Sequence, residues 1–318
     1  MGILNNGRTG LGGGAVGGMK ALIRRSVAQA QERKQFDRSI AEYGLVREKI
    51  AQMTVECFAA ESAVWMVAHY IDSGCEDYSV EAAITKVFAS EAMQRTAYES
   101  LQIAGGNGYM RELPYEQYVR DARILPIFEG TNEILRLYIA LSSLKDVGAS
   151  LKELQSAVSS IFNDPIKGFG VLSGYAERRF ARATGLGAAV KVSTPVATAL
   201  RPLVDIYESY ARATARVAED VLRKYGRGIS DQQHSQRRIA DLMIDLFVGL
   251  CVISRADSLI RSDPASATQV TDIARVFTHQ ARRRMVRNVR GLSHNEDQSI
   301  EALAGAILEK GRYPWDVL

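Results

Sequence analysis

Apolar residues recur every three or four positions through most of the chain, whereas the alternating pattern of a half-buried strand is scarce. In the first half of the chain this spacing predicts helices over residues 11–33, 44–73, 79–104 and 132–144. After Pro202 it predicts helices over residues 203–225, 231–262, 270–292 and 299–309. The pattern therefore predicts an all-α fold.

The predicted helices fall into two groups, separated by a stretch of different composition. Residues 147–202 contain three of the seven prolines and several glycines, which interrupt helical periodicity. We therefore predict a four-helix bundle over residues 1–146, a linker over residues 147–202 and a second helical domain over residues 203–318.

Composition and charge narrow the function classes. A chain of 318 residues with 47% hydrophobic and 24% charged residues is typical of a globular protein. The net charge of +4 is too small to favour nucleic-acid binding, and the arginines of residues 282–290 would spread around a helix as a solvated or partner-facing surface. Three scattered cysteines argue against a disulfide framework and a structural zinc site. We expect no metal site and a reducing compartment.

Two segments have the composition of a functional site. The run Gly105-Gly106-Asn107-Gly108 ends a predicted helix and would let a backbone or a phosphate approach closely, although a simple helix end explains it as well. Glu129 follows two apolar residues just before a predicted helix. Such a carboxylate is either a partly desolvated general base or a first-turn acid that favours the helix N-terminus.

The order of the motifs resembles that of the acyl-CoA dehydrogenase family. Residues 102–109 (QIAGGNGY) and 128–136 (FEGTNEILR) are similar to two diagnostic C-terminal segments of that family. Residues 33–36 resemble its RxxF segment, and residues 4–8 resemble the motif that precedes it. The resemblance covers roughly the first 140 residues. It implies the family's C-terminal four-helix bundle, followed here by a second helical domain.

The resemblance also implies a reaction and roles for individual residues. Glu129 would remove the α-proton of an acyl-CoA thioester while the β-hydride passes to FAD, and its backbone N–H would stabilise the enolate-like transition state. On the substrate side, the implied residues are Asn5, Arg8, Phe128 and Gly130. On the FAD side, they are Arg33, Phe36, Gln102, Gly106, Thr131 and Glu133, some of them reaching the neighbouring subunit of a homodimer.

Simpler readings of these residues also exist. Arg8 could be a surface residue at a frayed end, Arg33 could pair with a neighbouring acid, and Phe36 could belong to the core. Gln102 could be an ordinary surface amide, and Thr131 could cap a helix.

The length beyond residue 146 resembles the very-long-chain branch of the family and its paralogue that assists respiratory complex I assembly. An enzyme of β-oxidation that passes electrons to electron-transfer flavoprotein is one hypothesis, and a non-catalytic helical scaffold or assembly factor is the other. The linker could make peripheral membrane contact or pack on its own domain. The family's N-terminal and β domains have no counterpart in the sequence, so we expect a fragment that binds FAD poorly alone, from bacterial cytoplasm or the mitochondrial matrix.

Overall fold

A computed structural model describes residues 2–144 and 196–315, and these residues are almost entirely helical. This confirms the predicted all-α class. The helices of the first part are α1 (Gly2–Glu32), α2 (Gly44–Asp72), α3 (Ser79–Ala104), α4 (Gly106–Tyr109), α5 (Tyr115–Ile124) and α6 (132–144). The helices of the second part are α7 (Arg201–Tyr225), α8 (Gln233–Ser262), α9 (Ala267–Gly291) and α10 (Asp297–Lys310). Short 3-10 turns cover Ile40–Glu42, Thr198–Leu200, Gly226–Asp231 and Pro264–Ser266.

A small β-hairpin, which the periodicity did not predict, follows α1. Its strands β1 (Lys34–Gln35) and β2 (Arg38–Ser39) are antiparallel, with Lys34 opposite Ser39 and Gln35 opposite Arg38. The two turn residues, Phe36 and Asp37, have φ of 50° and 65°. Two successive positive φ values are those of a type I′ turn, which suits the twist of a two-residue hairpin. Strands of two residues are too short to produce an alternating pattern in the sequence.

Helix α1 packs closely against α3 and α2 because its contact face is made of small residues. A Cβ added at Gly12 would lie 3.1 Å from the methyl groups of both Thr85 and Val64. A Cβ added at Gly18 would lie 2.8 Å from Cε of Met93. Side chains at these positions would therefore push α1 away from its neighbours.

The two parts of the chain share one hydrophobic core rather than forming separate cores. Phe88 on α3 meets Phe277 on α9 edge to face, with ring centroids 5.9 Å apart. Arg136 on α6 donates to Glu91 on α3 at 2.7 Å and to Asp241 on α8 at 2.8 Å. Polar and apolar contacts thus tie the second group of helices to the first. The exact domain division stays a prediction.

Two predicted features near the site differ in the structure. Helix α1 begins at Gly2 rather than at residue 11, because Asn5 and Thr9 are buried and tertiary contacts outweigh the low helix propensity of the glycines. Residues 106–109 form the short helix α4, where the sequence indicated only the end of a helix.

Helix α5 lies in a stretch where the spacing of apolar residues predicted no helix. Pro114 occupies its N-cap position and Pro126 follows its end, so both prolines bound a helix instead of preventing one. Tyr115 and Ala122 form its buried face.

The predicted linker lies mostly outside the described residues, as do its proposed membrane-contacting positions. Residues 196–202 are described, and they contain the 3-10 turn and the start of α7. Among the described helices, none has the length and apolarity needed to cross a bilayer.

The Glu91–Arg136 pair gives a test of the contact between the two groups of helices. Burial alone would raise the pKa of Glu91, but hydrogen bonds and charge from Arg136 outweigh it and hold the pKa below 4.5. A carboxylate with a lowered pKa stabilises the fold above its unfolded pKa and loses that effect as the pH falls through the lowered value.

We expect Glu91→Gln to reduce the free energy of unfolding by roughly 1.5–3 kcal/mol at pH 7, the usual value for hydrogen bonds to charged groups. The difference from wild type should narrow as the pH falls through the lowered pKa of Glu91, because the carboxylate of the folded protein is then lost. Urea unfolding of both proteins in a series from neutral to acidic pH measures this. The control is Glu116→Gln, which removes an exposed i,i+4 pair with Arg120 and should leave the free energy of unfolding nearly unchanged, since solvent screens such a pair. Equal losses in both variants would contradict the expectation.

Candidate active site

Glu129 lies on a strained turn between α5 and α6. Its φ is 59° and that of the following Gly130 is 91°, so two consecutive residues have positive φ. A glutamate gains nothing locally from this conformation, so tertiary contacts must maintain it. The turn closes where the N–H of Asn132 donates to the Pro126 carbonyl at 2.9 Å. Thr131 then caps α6 by accepting from the N–H of Ile134 at 3.3 Å.

The Glu129 carboxylate points at α1. A Cβ added at Gly7 would lie 3.5 Å from Oε2 and 3.6 Å from Oε1. Oε2 has almost no contact with solvent and no hydrogen-bond partner among the described residues. The cover that the sequence reading attributed to Ile127 and Phe128 comes from elsewhere, since both side chains are 45% exposed. An unpaired, enclosed carboxylate oxygen is unusual, and it is free to accept a proton.

Buried polar side chains of α3 hold the turn in place. Lys86, which has no exposed surface, donates to the Gly130 carbonyl at 2.8 Å and to Asn132 Oδ1 at 2.8 Å. The Asn132 amide nitrogen in turn donates to Ser90 at 3.0 Å and to Glu91 at 3.1 Å. Every polar group of Asn132 therefore has a partner, which fixes the start of α6.

Arg8 reaches the same turn from α1. Its Nε donates to the Glu129 carbonyl over a long 3.5 Å, and its Nη1 donates to Asn5 at 3.3 Å. The guanidinium also lies 5.9 Å from the ring centroid of Tyr138. Arg8 is thus an ordered, half-buried residue and does not belong to a frayed end. The structure brings Asn5, Arg8 and Glu129 together.

A cavity of about 430 Å³ opens in front of the carboxylate. One wall is the small-residue face of α1, where Gly7, Gly14 and Gly18 recur at helical spacing. The opposite wall comes from α3, α5 and the turn, and its apolar members are Met93, Ala122, Leu125 and Phe128. The geometry places an enclosed carboxylate at the side of a largely apolar groove.

The remaining predicted site residues lie on exposed surfaces. Phe36 is 88% exposed at the tip of the hairpin, and the Arg33 side chain makes no hydrogen bond or ion pair within the described residues. Gln102 and Gly106 are exposed at the end of α3, and a Cβ on Gly106 would meet no atom within 4 Å. Glu133 is exposed on the first turn of α6.

The hairpin and the end of α3 are neighbours. Ile103 packs with Ala30 and Met53 in a small second core, and Ile40 just after the hairpin packs against it. Arg33, Phe36, Gln102 and Gly106 therefore lie at one end of the bundle. The alternative reading of Phe36 as a core residue is wrong, because its ring projects into solvent.

Sequence reasoning missed the polar cluster under the turn. Lys86, Ser90 and Glu91 lie within an ordinary amphipathic helix, and Asn132 reads as a simple helix start. One signal for the cluster was available. Lys86 lies between Thr85 and Val87, on a stretch of helix whose neighbouring positions are buried. A charge within such a run needs a partner, but the pattern does not name one.

Across the described ranges, no group of acidic, histidine and cysteine residues is arranged to hold a metal ion.

The strain in the turn gives a second test. Gly130→Ala places a Cβ 3.2 Å from Leu135 Cδ2 at a φ of 91°, so we expect it to lower the free energy of unfolding by about 1–3 kcal/mol. The matched control is Gly10→Ala in α1, where a Cβ meets nothing within 4 Å. That change should stabilise the helix by up to about 1 kcal/mol. Thermal and urea unfolding of the two variants should give opposite signs, and a neutral Gly130→Ala would show that the turn is not strained.

Comparison with known sequences assigns both parts of the chain. Residues 1–144 match the family model for the acyl-CoA dehydrogenase C-terminal domain, and residues 198–313 match that for the ACAD9/ACADV C-terminal domain. The chain is 34% identical to the very long-chain specific acyl-CoA dehydrogenase of rat mitochondria, over 97% of its own length and 47% of that protein. It is 29% identical to a probable acyl-CoA dehydrogenase of Mycobacterium tuberculosis, over 98% of its length and 49% of that protein.

A solved structure shows the same arrangement of helices. The acyl-CoA dehydrogenase of Bacillus anthracis, crystallised with FAD, superposes with a TM-score of 0.74 at 25% identity, over 99% of this chain and 53% of that one. The chain therefore spans about half the length of the relatives it matches. It belongs to the acyl-CoA dehydrogenase family, in which it corresponds to the C-terminal helical domains and resembles the very-long-chain members.

Proposed function

We propose that the chain contributes to the FAD-dependent α,β-dehydrogenation of acyl-CoA thioesters, with Glu129 as the base that removes the α-proton. The observation that carries this proposal is the Glu129 carboxylate, which has one enclosed and unpaired oxygen at the side of an apolar cavity. General bases need an unoccupied lone pair and access to the substrate proton. The unpaired oxygen supports the first requirement, and the position of Glu129 in the wall of the cavity supports the second. The family resemblance supports the same assignment.

The backbone of the turn supplies the second part of the chemistry. The N–H of Glu129 donates no hydrogen bond within the described residues. It can therefore donate to the thioester carbonyl oxygen, where negative charge develops as the α-proton leaves. Because the turn is already held in its positive-φ conformation, the donor needs no rearrangement before the reaction. Asn5 and Arg8 lie beside Glu129 and would face the CoA portion, while Phe128 and Gly130 would line the thioester site.

The residues present fit a dinucleotide at the exposed end of the bundle. Arg33 is an unpaired cation that suits a phosphate, and the exposed Phe36 ring suits stacking. Gln102 and Gly106 offer a donor and an open backbone at the end of α3. When bound, FAD supplies the acceptor for the β-hydride. These four residues face outward, so we propose that they contact the FAD of a second subunit, while Thr131 and Glu133 contact the chain's own.

Several finer features of the proposal rest on the family alone. We propose electron-transfer flavoprotein as the electron acceptor, a homodimer as the assembly and fatty-acid β-oxidation as the pathway. The matched relatives include mitochondrial and mycobacterial proteins, so both compartments expected from the sequence stay open. We also propose that residues 1–146 form the site and that residues 203–318 stabilise it by packing against the first group of helices.

The base assignment can be tested in a chimera that joins the part of the rat relative preceding the matched region to this chain. Glu129→Gln keeps the shape of the side chain but removes the base. We expect kcat for palmitoyl-CoA, measured with an artificial electron acceptor, to fall by about 10²- to 10⁴-fold while FAD content is unchanged. Glu112→Gln, at an exposed glutamate outside the site, is the control and should retain full activity.

Two results would argue against the proposal. A chimera that binds FAD and unfolds cooperatively but turns over no acyl-CoA would favour the scaffold hypothesis. Unchanged activity of Glu129→Gln would remove the base assignment while leaving dehydrogenation intact.

The cavity predicts where the acyl chain lies. Gly14 lines the cavity and has no atom within 4 Å of an added Cβ, so Gly14→Leu would occupy free volume. We expect this change to reduce kcat/KM for palmitoyl-CoA by about 10-fold or more relative to butyryl-CoA. The control is Gly17→Leu, at an exposed position of the same helix that does not line the cavity. It should leave kcat/KM for palmitoyl-CoA relative to butyryl-CoA unchanged. An equal loss for both chain lengths would place the acyl chain elsewhere.

A further inference from the structure

Lys86 is a buried cation that forms no ion pair within the described residues. Its side chain lies in the middle of α3 with no exposed surface, and no carboxylate among the described residues lies within ion-pair distance. Its hydrogen bonds go instead to two neutral oxygens, the Gly130 carbonyl and Asn132 Oδ1, each at 2.8 Å. Burying an unpaired ammonium group is costly, and an apolar side chain would fill the same space at lower cost. The position of Lys86 therefore needs an explanation other than stability.

We propose that Lys86 is a positioning residue for the base: by holding the Gly130 carbonyl and the Asn132 side chain, it keeps the strained turn in the conformation that aims the Glu129 carboxylate at the cavity. This inference rests on the proposed base role of Glu129. It adds a residue that touches neither substrate nor cofactor and acts through the turn.

The backbone of the turn shows why such a residue is required. Glu129 and Gly130 both have positive φ, and the glutamate has no local reason to remain there. The carbonyls of these two residues accept from cations on different helices. Arg8 of α1 donates to the Glu129 carbonyl at 3.5 Å, and Lys86 of α3 donates to the Gly130 carbonyl at 2.8 Å. The shorter bond belongs to Lys86, so Lys86 is the stronger of the two ties.

Asn132 provides a second, independent tie to the same lysine. Its amide nitrogen donates to Ser90 and Glu91, which leaves Oδ1 facing Lys86. Lys86 and Ser90 are four residues apart and therefore lie on one face of α3. The start of α6, and with it the end of the turn, is thus fixed to a single face of α3.

The electrostatic setting agrees with this role. Burial lowers the pKa of Lys86 to about 8, and the Arg8 guanidinium adds to this, while Glu133, Glu91 and Glu129 oppose it. The amine is therefore still mostly protonated at pH 7, with all its hydrogens available as donors. Because two of them are used on the turn, loss of the amine would free both acceptors at once.

The test uses the chimera described above. Lys86→Met keeps a long unbranched side chain but removes both donors, and Lys86→Gln keeps a single N–H-bearing group. For Lys86→Met we expect kcat for palmitoyl-CoA to fall by about 10- to 100-fold, since small misplacements of a reacting group have effects of that size. The KM and the FAD content should change little. The isotope effect with α-deuterated palmitoyl-CoA should increase, because proton abstraction becomes the slower step. Lys86→Gln should recover part of kcat.

The controls separate this inference from the proposed function. Lys20→Met removes an α1 lysine that pairs with Glu61 away from the site, and its kcat should match wild type. If Glu129→Gln is inactive but Lys86→Met retains wild-type kcat and isotope effect, the positioning role is wrong and the base role stands. If Glu129→Gln is active, the proposed function fails first. Loss of FAD or of cooperative unfolding in both Lys86 variants would also overturn the inference, because Lys86 would then serve stability alone.

Discussion

The close approach of α1 to α3 is the constraint on which the candidate site depends. Small residues on α1 allow it, since side chains at Gly12 or Gly18 would meet Thr85, Val64 or Met93 at 2.8–3.1 Å. The same approach carries Gly7 against the Glu129 carboxylate, whose Oε2 would lie 3.5 Å from a Cβ added at Gly7. The glycines lower the helix propensity of α1, and tertiary packing compensates for it. The low helix propensity of α1 thus accompanies a groove beside Glu129.

The turn that carries Glu129 shows the same compensation by tertiary contacts at the level of single residues. A positive φ is unfavourable for a glutamate, whereas the following Gly130 adopts it readily. The conformation of Glu129 persists because α1, α3 and α6 all contact the turn. The benefit is that the carboxylate and the backbone N–H are fixed before any ligand arrives. Preorganisation of this kind is what allows hydrogen-bond donors to act on a developing charge without first rearranging.

The sequence was most informative about helices with a clear apolar stripe. The limits of α3 follow from periodicity, and the structure confirms them at residues 79 and 104. Helix α5 was missed because two prolines flank it, and proline is compatible with both a loop and a helix boundary. The start of α1 was missed because propensity is a local quantity, whereas the burial of Asn5 and Thr9 is a tertiary one.

The site shows the same division between local and tertiary information. Position and flanking residues left Glu129 with two readings, and only the order of motifs along the chain distinguished them. The enclosed oxygen, the cavity and the positive φ values all depend on α1 crossing the turn, which no window of sequence around Glu129 reveals. Lys86 is 43 residues away from Glu129 in the sequence, and its bonds to the turn are of the same tertiary kind.

A series of hydrogen bonds connects the second group of helices to the turn that carries Glu129. Asp241 of α8 accepts from Arg136, Arg136 donates to Glu91, and Glu91 accepts from the Asn132 amide that also faces Lys86. Each of these groups has its hydrogen bonds satisfied by the next, so the network costs little to bury as a whole but much to interrupt. Asp241 of the second group is thus connected, through this series of hydrogen bonds, to the turn that carries the candidate base. The two groups of helices therefore share more than a packed core, because the orientation of Asn132, and with it the start of α6, depends on charges contributed from both.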